Sequence, residues 1–237
     1  MIEKLVPYKI KVYNKIKDDI INGVYVPGDV LNERGLADAL GISRTPIREA
    51  LQMLAQDGWV SIESYKKATV REYDIKHMNE LQRIRDVLEC CAIEDAVDHI
   101  TELDMKNLEQ LQEEQVKALR EYKANSFIEL DRKFHNYIYR LSGNNELIHL
   151  LQNYYDMFLF IGIQAVSNTE ERKSNVLKEH EAILEALRER DKEKAKNAMH
   201  QHMNVTKENM LSRLQNVCHA EKKRIRTEKL DNITRKD

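Results

Sequence analysis

Helix-breaking residues are concentrated at one end of the chain. All three prolines (Pro7, Pro27, Pro46) and five of the seven glycines (Gly23, Gly28, Gly35, Gly41, Gly58) occur within the first quarter of the sequence. Proline removes a backbone donor and glycine costs helix stability, so short elements and tight turns are expected there, and long helices after it. At 237 residues the chain can form two modest domains, each with its own core. The expected fold is mainly α: residues 1–73 as a small winged domain, 74–217 as an all-helical bundle and 218–237 as a charged, frayed tail.

Within the first region, apolar residues at Ile10, Tyr13, Ile16 and Ile20 predict a helix over Tyr8–Asn22, ended by Gly23 and a Pro27-Gly28 turn. Glu33–Leu40 is short and amphipathic, and Gly41-Ile42 joins it to a second stripe, Ile47, Ala50, Leu51 and Leu54. Ser43 and Thr45 are candidates to cap that second helix, and Pro46 is tolerated only in its first turn. The spacing is that of a helix-turn-helix, with Arg44, Thr45 and Arg48 left on the outer face at its N-terminal end. Gly58 closes the helix, and Trp59–Ile62 and Ala68–Val70 read as two strands around Ser64–Lys67, a wing whose Lys66 and Lys67 suit phosphate contact. Scattered arginines are usually solvated surface, but these flank a turn–helix junction.

Composition is neutral about partners. A net charge of −2 gives no overall attraction to nucleic acid, so any DNA affinity must come from a local basic face or from doubled sites in a dimer. Cys90, Cys91 and Cys218 are odd in number and lack metal-type spacing, which predicts reduced thiols in a cytoplasmic protein. No apolar run approaches the roughly 18–20 residues that span a bilayer, and the N-terminus lacks a signal-peptide core, so no membrane partner is expected.

Beyond Asp74 the pattern predicts six helices, over 75–99, 103–123, 125–142, 145–165, 170–190 and 191–216. Polar residues fall on their apolar faces. Asp131 and His135 lie on the stripe Phe127, Leu130, Phe134, Ile138 and Leu141; His180 lies among Val176, Leu177, Ile183, Leu184 and Leu187; His202 lies among Ala195, Ala198, Met199 and Val205. A lone histidine on such a face is most often a satisfied core residue. One carboxylate and three imidazoles on three helices also suit a divalent transition metal, and spacing alone leaves both readings open. His200 rivals His202 but faces another way. Arg85 sits inward on the face of Leu81, Leu88 and Ala92, either in a structural salt bridge to Asp131 or another bundle carboxylate, or as an anchor for an anionic ligand. No second core carboxylate or histidine is evident for hydrolytic chemistry.

The N-terminal segment, Tyr8–Glu72, resembles the winged helix of the GntR family of bacterial transcription regulators. The resemblance rests on Val26-Pro27-Gly28-Asp29, Leu31-Asn32-Glu33-Arg34, Leu36-Ala37, Ser43-Arg44-Thr45-Pro46-Ile47-Arg48-Glu49-Ala50-Leu51, Leu54 and Gly58. It implies DNA contacts from Arg34, Arg44 and Arg48 and from the turn residues Ser43 and Thr45. The wing departs from the family pattern, which commonly has glycine where Lys67 stands.

Tyr73–Leu214 is similar to the FCD effector domain of the FadR subfamily, through Leu81–Glu89, Asp131-Arg132-Lys133-Phe134-His135, Leu141–Asn144, Glu179–Leu184 and Ala198–Met203. Metal-binding members use an aspartate and three histidines, which implies Asp131, His135, His180 and His202 as ligands to about one zinc or nickel ion per subunit. A divalent ion with one carboxylate leaves a site of about +1, and Arg85 would add to its pull on a small organic acid. The expected function is a metabolite-responsive regulator, a repressor, binding double-stranded operator DNA as a homodimer and not acting as an enzyme. The alternatives are a metal-dependent hydrolase carrying a winged helix, an acyl-CoA-sensing regulator without metal, and an architectural DNA-binding protein.

Overall fold

The computed structural model describes residues 6–63, 67–165 and 169–212. Two compact units emerge, Met1–Asp74 with Asp156–Ile163, and Ile75–Tyr155 with Gln164–Asp237.

In the first unit, α1 (Tyr8–Ile21) starts after Pro7 and buries Val12, Tyr13, Ile16 and Ile20, while the expected Ile10 is only half-buried. β1 is Val30–Leu31, α2 is Glu33–Leu40 and α3 is Arg44–Gln56. The Asn32 side chain accepts from the Arg34 amide to cap α2, and Gly41 ends it in the left-handed region at φ 66°, where a side chain would be strained. α3 buries Ile47, Ala50, Leu51 and Leu54 as its stripe requires, and Pro46 falls in its first turn. The capping expectation is corrected here. Ser43 is the N-cap residue by its extended backbone, but its hydroxyl makes no capping bond, and Thr45 lies inside the helix.

β2 (Val60–Ile62) and β3 (Ala68–Val70) form the expected antiparallel hairpin, with Ser61 opposite Thr69. Its tip, including Lys66, lies outside the described residues. β1 adds to β3 antiparallel, with Leu31 opposite Ala68, giving the order β1-β3-β2. This strand was not expected, because two residues between a turn and a cap leave no room for alternation. Trp59, just before β2, is buried.

The second unit is built from helices joined by short turns among its described residues. α4 (Ile75–His99), α5 (Glu102–Arg120), α6 (Ala124–Leu141), α7 (Asn145–Ala165, of which Asp156–Ile163 is grouped with the first unit) and α8 (Glu170–Glu189) precede a last helix, α9, described over 192–212. Thr101 and Asp104 form a reciprocal capping box at the start of α5. Gly143 turns the chain between α6 and α7 at φ 70°, and Thr169 caps α8. The core brings Ile93 and Ala96 of α4 against Phe134 and Ile138 of α6, Ile183 and Leu187 of α8, and Ala195 and Met199 of α9. The polar residues singled out in the sequence lie on these same faces.

Candidate metal centre and nucleic-acid face

On the winged unit, Arg44, Thr45 and Arg48 are exposed at the start of α3, as the stripe on the opposite face demands. Arg44 and Arg48 border a cleft with Arg34 and Gln52, lined on the wing side by Lys67. Arg48 is held by Glu33 of α2, with Nε donating at 3.1 Å and an Nη at 2.9 Å. That hydrogen bond, with the Arg48 charge, holds the Glu33 carboxyl below its ordinary range. Arg34 lies 3.8 Å from Asp38 in a fully solvated pair, a contact of small energetic weight. Ser43 is exposed beside them. Gln52, one turn beyond Arg48 and exposed, was missed in the sequence, although the i,i+4 spacing from Arg48 signals it.

In the helical unit, the four polar residues converge. Asp131 and His135 are one turn apart on α6, His180 comes from α8 and His202 from α9. Each imidazole is tethered at Nδ1: His135 to Glu89 of α4 at 3.2 Å, His180 to Gln115 of α5 at 3.2 Å, and His202 to Glu179 of α8 at 2.7 Å. Tethering Nδ1 turns Nε2 toward a common point, the usual way outer groups orient metal-ligating imidazoles.

At that point the ligand atoms of the three histidines lie within 4.8 Å of one another. The Nε2 atoms of His135 and His202 are 3.2 Å apart, close to the roughly 3.3 Å edge of a tetrahedron with zinc–nitrogen bonds of about 2.05 Å. His180 Nε2 is 3.5 Å from Asp131 Oδ1 and makes no hydrogen bond among the described residues, although it is buried. A buried imidazole nitrogen without a partner costs free energy that a cation would offset. The donor set therefore fits a divalent transition metal.

Electrostatics agree with that fit. Burial pushes His180 well below its ordinary value and His202 below its own, the latter partly offset by Glu179, which favours the neutral imidazole that ligation requires. Burial pushes the Asp131 carboxyl up, but the three imidazoles outweigh it and hold the group below the usual carboxylate range. Its oxygens also accept from Gln115 Nε2 at 3.3 Å and from the Tyr155 hydroxyl at 2.9 Å.

Arg85 is inward, as expected, at 6% side-chain exposure, but its ion-pair partner is not Asp131. Its Nε donates to Glu89 at 2.9 Å, one turn along α4, and its guanidinium lies 5.1 Å over the Tyr155 ring. Glu89 is fully buried and also accepts from the Tyr139 hydroxyl. Burial would raise its carboxyl, but His135 and Arg85 outweigh that and bring it to about 2.

Two further carboxylates that the sequence did not make evident lie beside the site, Glu89, fully buried, and Glu179, whose side chain is 17% exposed, and they are engaged by Arg85, His135 and His202. Glu89 was legible in principle, because Arg85, Glu89, Ala92 and Ala96 form one helical stripe. His200, the rival of His202, is exposed and faces Asp86.

Comparison with known proteins agrees with both halves. Residues 9–70 match the model of the bacterial regulatory proteins of the gntR family, and residues 80–205 match the FCD domain. The uncharacterized HTH-type transcriptional regulator YdhC of Bacillus subtilis is 33% identical over 86% of this chain and 91% of that protein. The HTH-type transcriptional repressor RspR of Escherichia coli is 27% identical over 86% of this chain and 89% of that protein. Among solved structures, E. coli McbR/YncC superposes with a TM-score of 0.72 at 27% identity, covering 85% of this chain and 96% of that one. No helix among the described residues is long and apolar enough to cross a membrane.

Proposed function

The chain belongs to the GntR family of bacterial regulatory proteins and carries an FCD domain, which makes it a DNA-binding transcription regulator and not an enzyme; from that premise we propose how it is controlled. The protein is a repressor that reads a two-fold operator as a homodimer, because one winged helix covers little DNA and two copies supply affinity and specificity. Arg34, Arg44 and Arg48, with Ser43, Thr45, Lys66 and Lys67, make the DNA contacts.

Its helical unit holds one divalent transition metal, zinc or nickel, through Asp131, His135, His180 and His202. The observation that carries this reading is the set of three Nδ1 tethers that leaves three Nε2 atoms converging beside Asp131. The bound ion supplies a Lewis-acidic position of net charge about +1, to which an anionic oxygen is drawn.

The effector is a small carboxylate seated between that position and Arg85. Glu89 already offsets the Arg85 charge, so the arginine contributes direction and hydrogen bonds more than net attraction. Calorimetry with a panel of hydroxy acids, sugar acids and dicarboxylates tests this on metal-loaded, metal-stripped and Arg85→Ala protein, alongside binding to operator fragments at one salt concentration. The reading expects one acid to bind only the metal-loaded form, more weakly after Arg85→Ala, and to change operator affinity. Equal binding by all three forms contradicts it.

A further inference from the structure

The helical unit brings together a second set of ligating atoms, on the face of α4 next to that of Arg85 and Glu89. Asp86 and Cys90 are one turn apart on α4, and His200 reaches them from α9. The Asp86 carboxylate oxygens are both 2.9 Å from His200 Nδ1, and Cys90 Sγ is 3.7 Å from Asp86 Oδ1. The three ligand atoms lie within 4.8 Å of one another.

For a tetrahedral zinc ion, bonds of about 2.3 Å to sulfur and 2.1 Å to oxygen place those two ligands roughly 3.6 Å apart, and nitrogen and oxygen roughly 3.4 Å apart. The sulfur–oxygen spacing already fits, and the imidazole has to withdraw from the carboxylate by roughly half an ångström. Asn204, one turn beyond His200 on α9, lies with its carboxamide nitrogen 2.9 Å from His200 Nε2. A flip of that amide would let its oxygen accept from Nε2–H and leave Nδ1 for a metal, the outer support that ligating imidazoles ordinarily have. The Cys90 thiol lies within donor reach of Asp86 Oδ1 at 3.7 Å and of the Lys196 carbonyl at 3.8 Å, and a half-exposed His–Asp pair alone contributes little. Sulfur, nitrogen and oxygen together select a borderline-soft ion over magnesium or calcium.

We propose that Asp86, Cys90 and His200 form a second, zinc-class divalent cation site that clips α4 to α9, with its remaining position open to solvent. The ion replaces the thiol proton, which is released to solvent as the Cys90 Sγ–metal bond forms. The clip fixes the two helices that also carry Glu89 and His202, so its occupancy stiffens the frame of the central centre without sharing a ligand with it.

Cobalt(II) distinguishes the two sites, because only this one contains a thiolate. Titration of the reduced full-length protein with cobalt(II) is expected to produce a near-ultraviolet thiolate-to-cobalt charge-transfer band. The band should persist in His180→Ala, which disables the central centre, and in Cys91→Ser and Cys218→Ser. It should vanish in Cys90→Ser and in Cys90→Ala, with unchanged far-ultraviolet dichroism as the folding control, and weaken in His200→Ala. Metal uptake should fall by one equivalent per chain in Cys90→Ser. Absence of the band under excess cobalt, its survival in Cys90→Ser, or its loss only in Cys91→Ser or Cys218→Ser would overturn the assignment. Loss of binding at the central centre alone would leave the band intact and refute only the other reading.

Discussion

Replacing Glu89 with glutamine should damage both the stability of the helical unit and its hold on metal. The carboxylate is fully buried, takes the Arg85 Nε hydrogen bond at 2.9 Å and faces His135 Nδ1 at 3.2 Å. Breaking a buried pair by removing one charge costs about 3–5 kcal/mol, because the other charge stays in a low-dielectric site. Glutamine keeps an acceptor oxygen, which places Glu89→Gln near about 3 kcal/mol, or roughly 6–12 °C in melting temperature for a domain of this size. Losing the group that orients His135 should also weaken metal binding about 10–100-fold. The assays are thermal unfolding of the metal-stripped protein and zinc affinity against a competing chelator. Arg85→Met in the Glu89→Gln background should recover part of the stability, since it removes the buried charge, but should not restore metal affinity. A Glu89→Gln protein that melts within about 2 °C of the wild type, the effect of roughly half to one kcal/mol, and binds zinc unchanged would refute this account of Glu89.

The DNA face and the histidine core yield two further expectations. Arg44→Ala and Arg48→Ala should each weaken operator binding by roughly 1–3 kcal/mol at fixed salt without altering helicity, and the loss should be smaller for Arg48, which must first give up Glu33. Glu33→Gln should for the same reason strengthen binding, and gel-shift titrations that find all three variants unchanged would misplace the recognition helix. In metal-stripped protein, His180 and His202 are held below their ordinary value of 6.5 by burial. Protons then favour the unfolded chain, so stability is fully present above pH 6.5 and is lost as the pH falls through it. Melting temperatures that stay flat or rise as the pH drops through this window would show that these imidazoles are not buried as neutral groups.

Much of this was legible in the sequence where a single periodic face carried the information. The stripe of α6 placed Asp131 and His135 together because residues four apart share a helix face, and the same logic put His180 and His202 inward. What one helix cannot show is which neighbour its polar residues meet. Arg85 was read as inward and paired with Asp131 or another bundle carboxylate, and the structure shows Glu89 as a partner, a choice that the pattern of one helix leaves open. Asp86, Cys90 and His200 come from α4 and α9, far apart in sequence, so no local spacing marks them. β1 escaped because Val30–Leu31 is held by pairing to Ala68 and Thr69 and not by its own pattern. Ser43 illustrates the reverse error, a residue type with the chemistry to cap whose hydroxyl makes no such bond.

The most direct test of the central claim is the metal content of Cys90→Ser protein purified without chelators, in which only the Asp131, His135, His180 and His202 centre can bind. Elemental analysis, followed by zinc and nickel titration of the stripped protein, should find one ion per chain, lost when His180→Ala or His202→Ala is added and accompanied by a lower melting temperature. Protein that contains no transition metal and takes up neither ion on titration would contradict the claim and return the four residues to ordinary polar groups of the core.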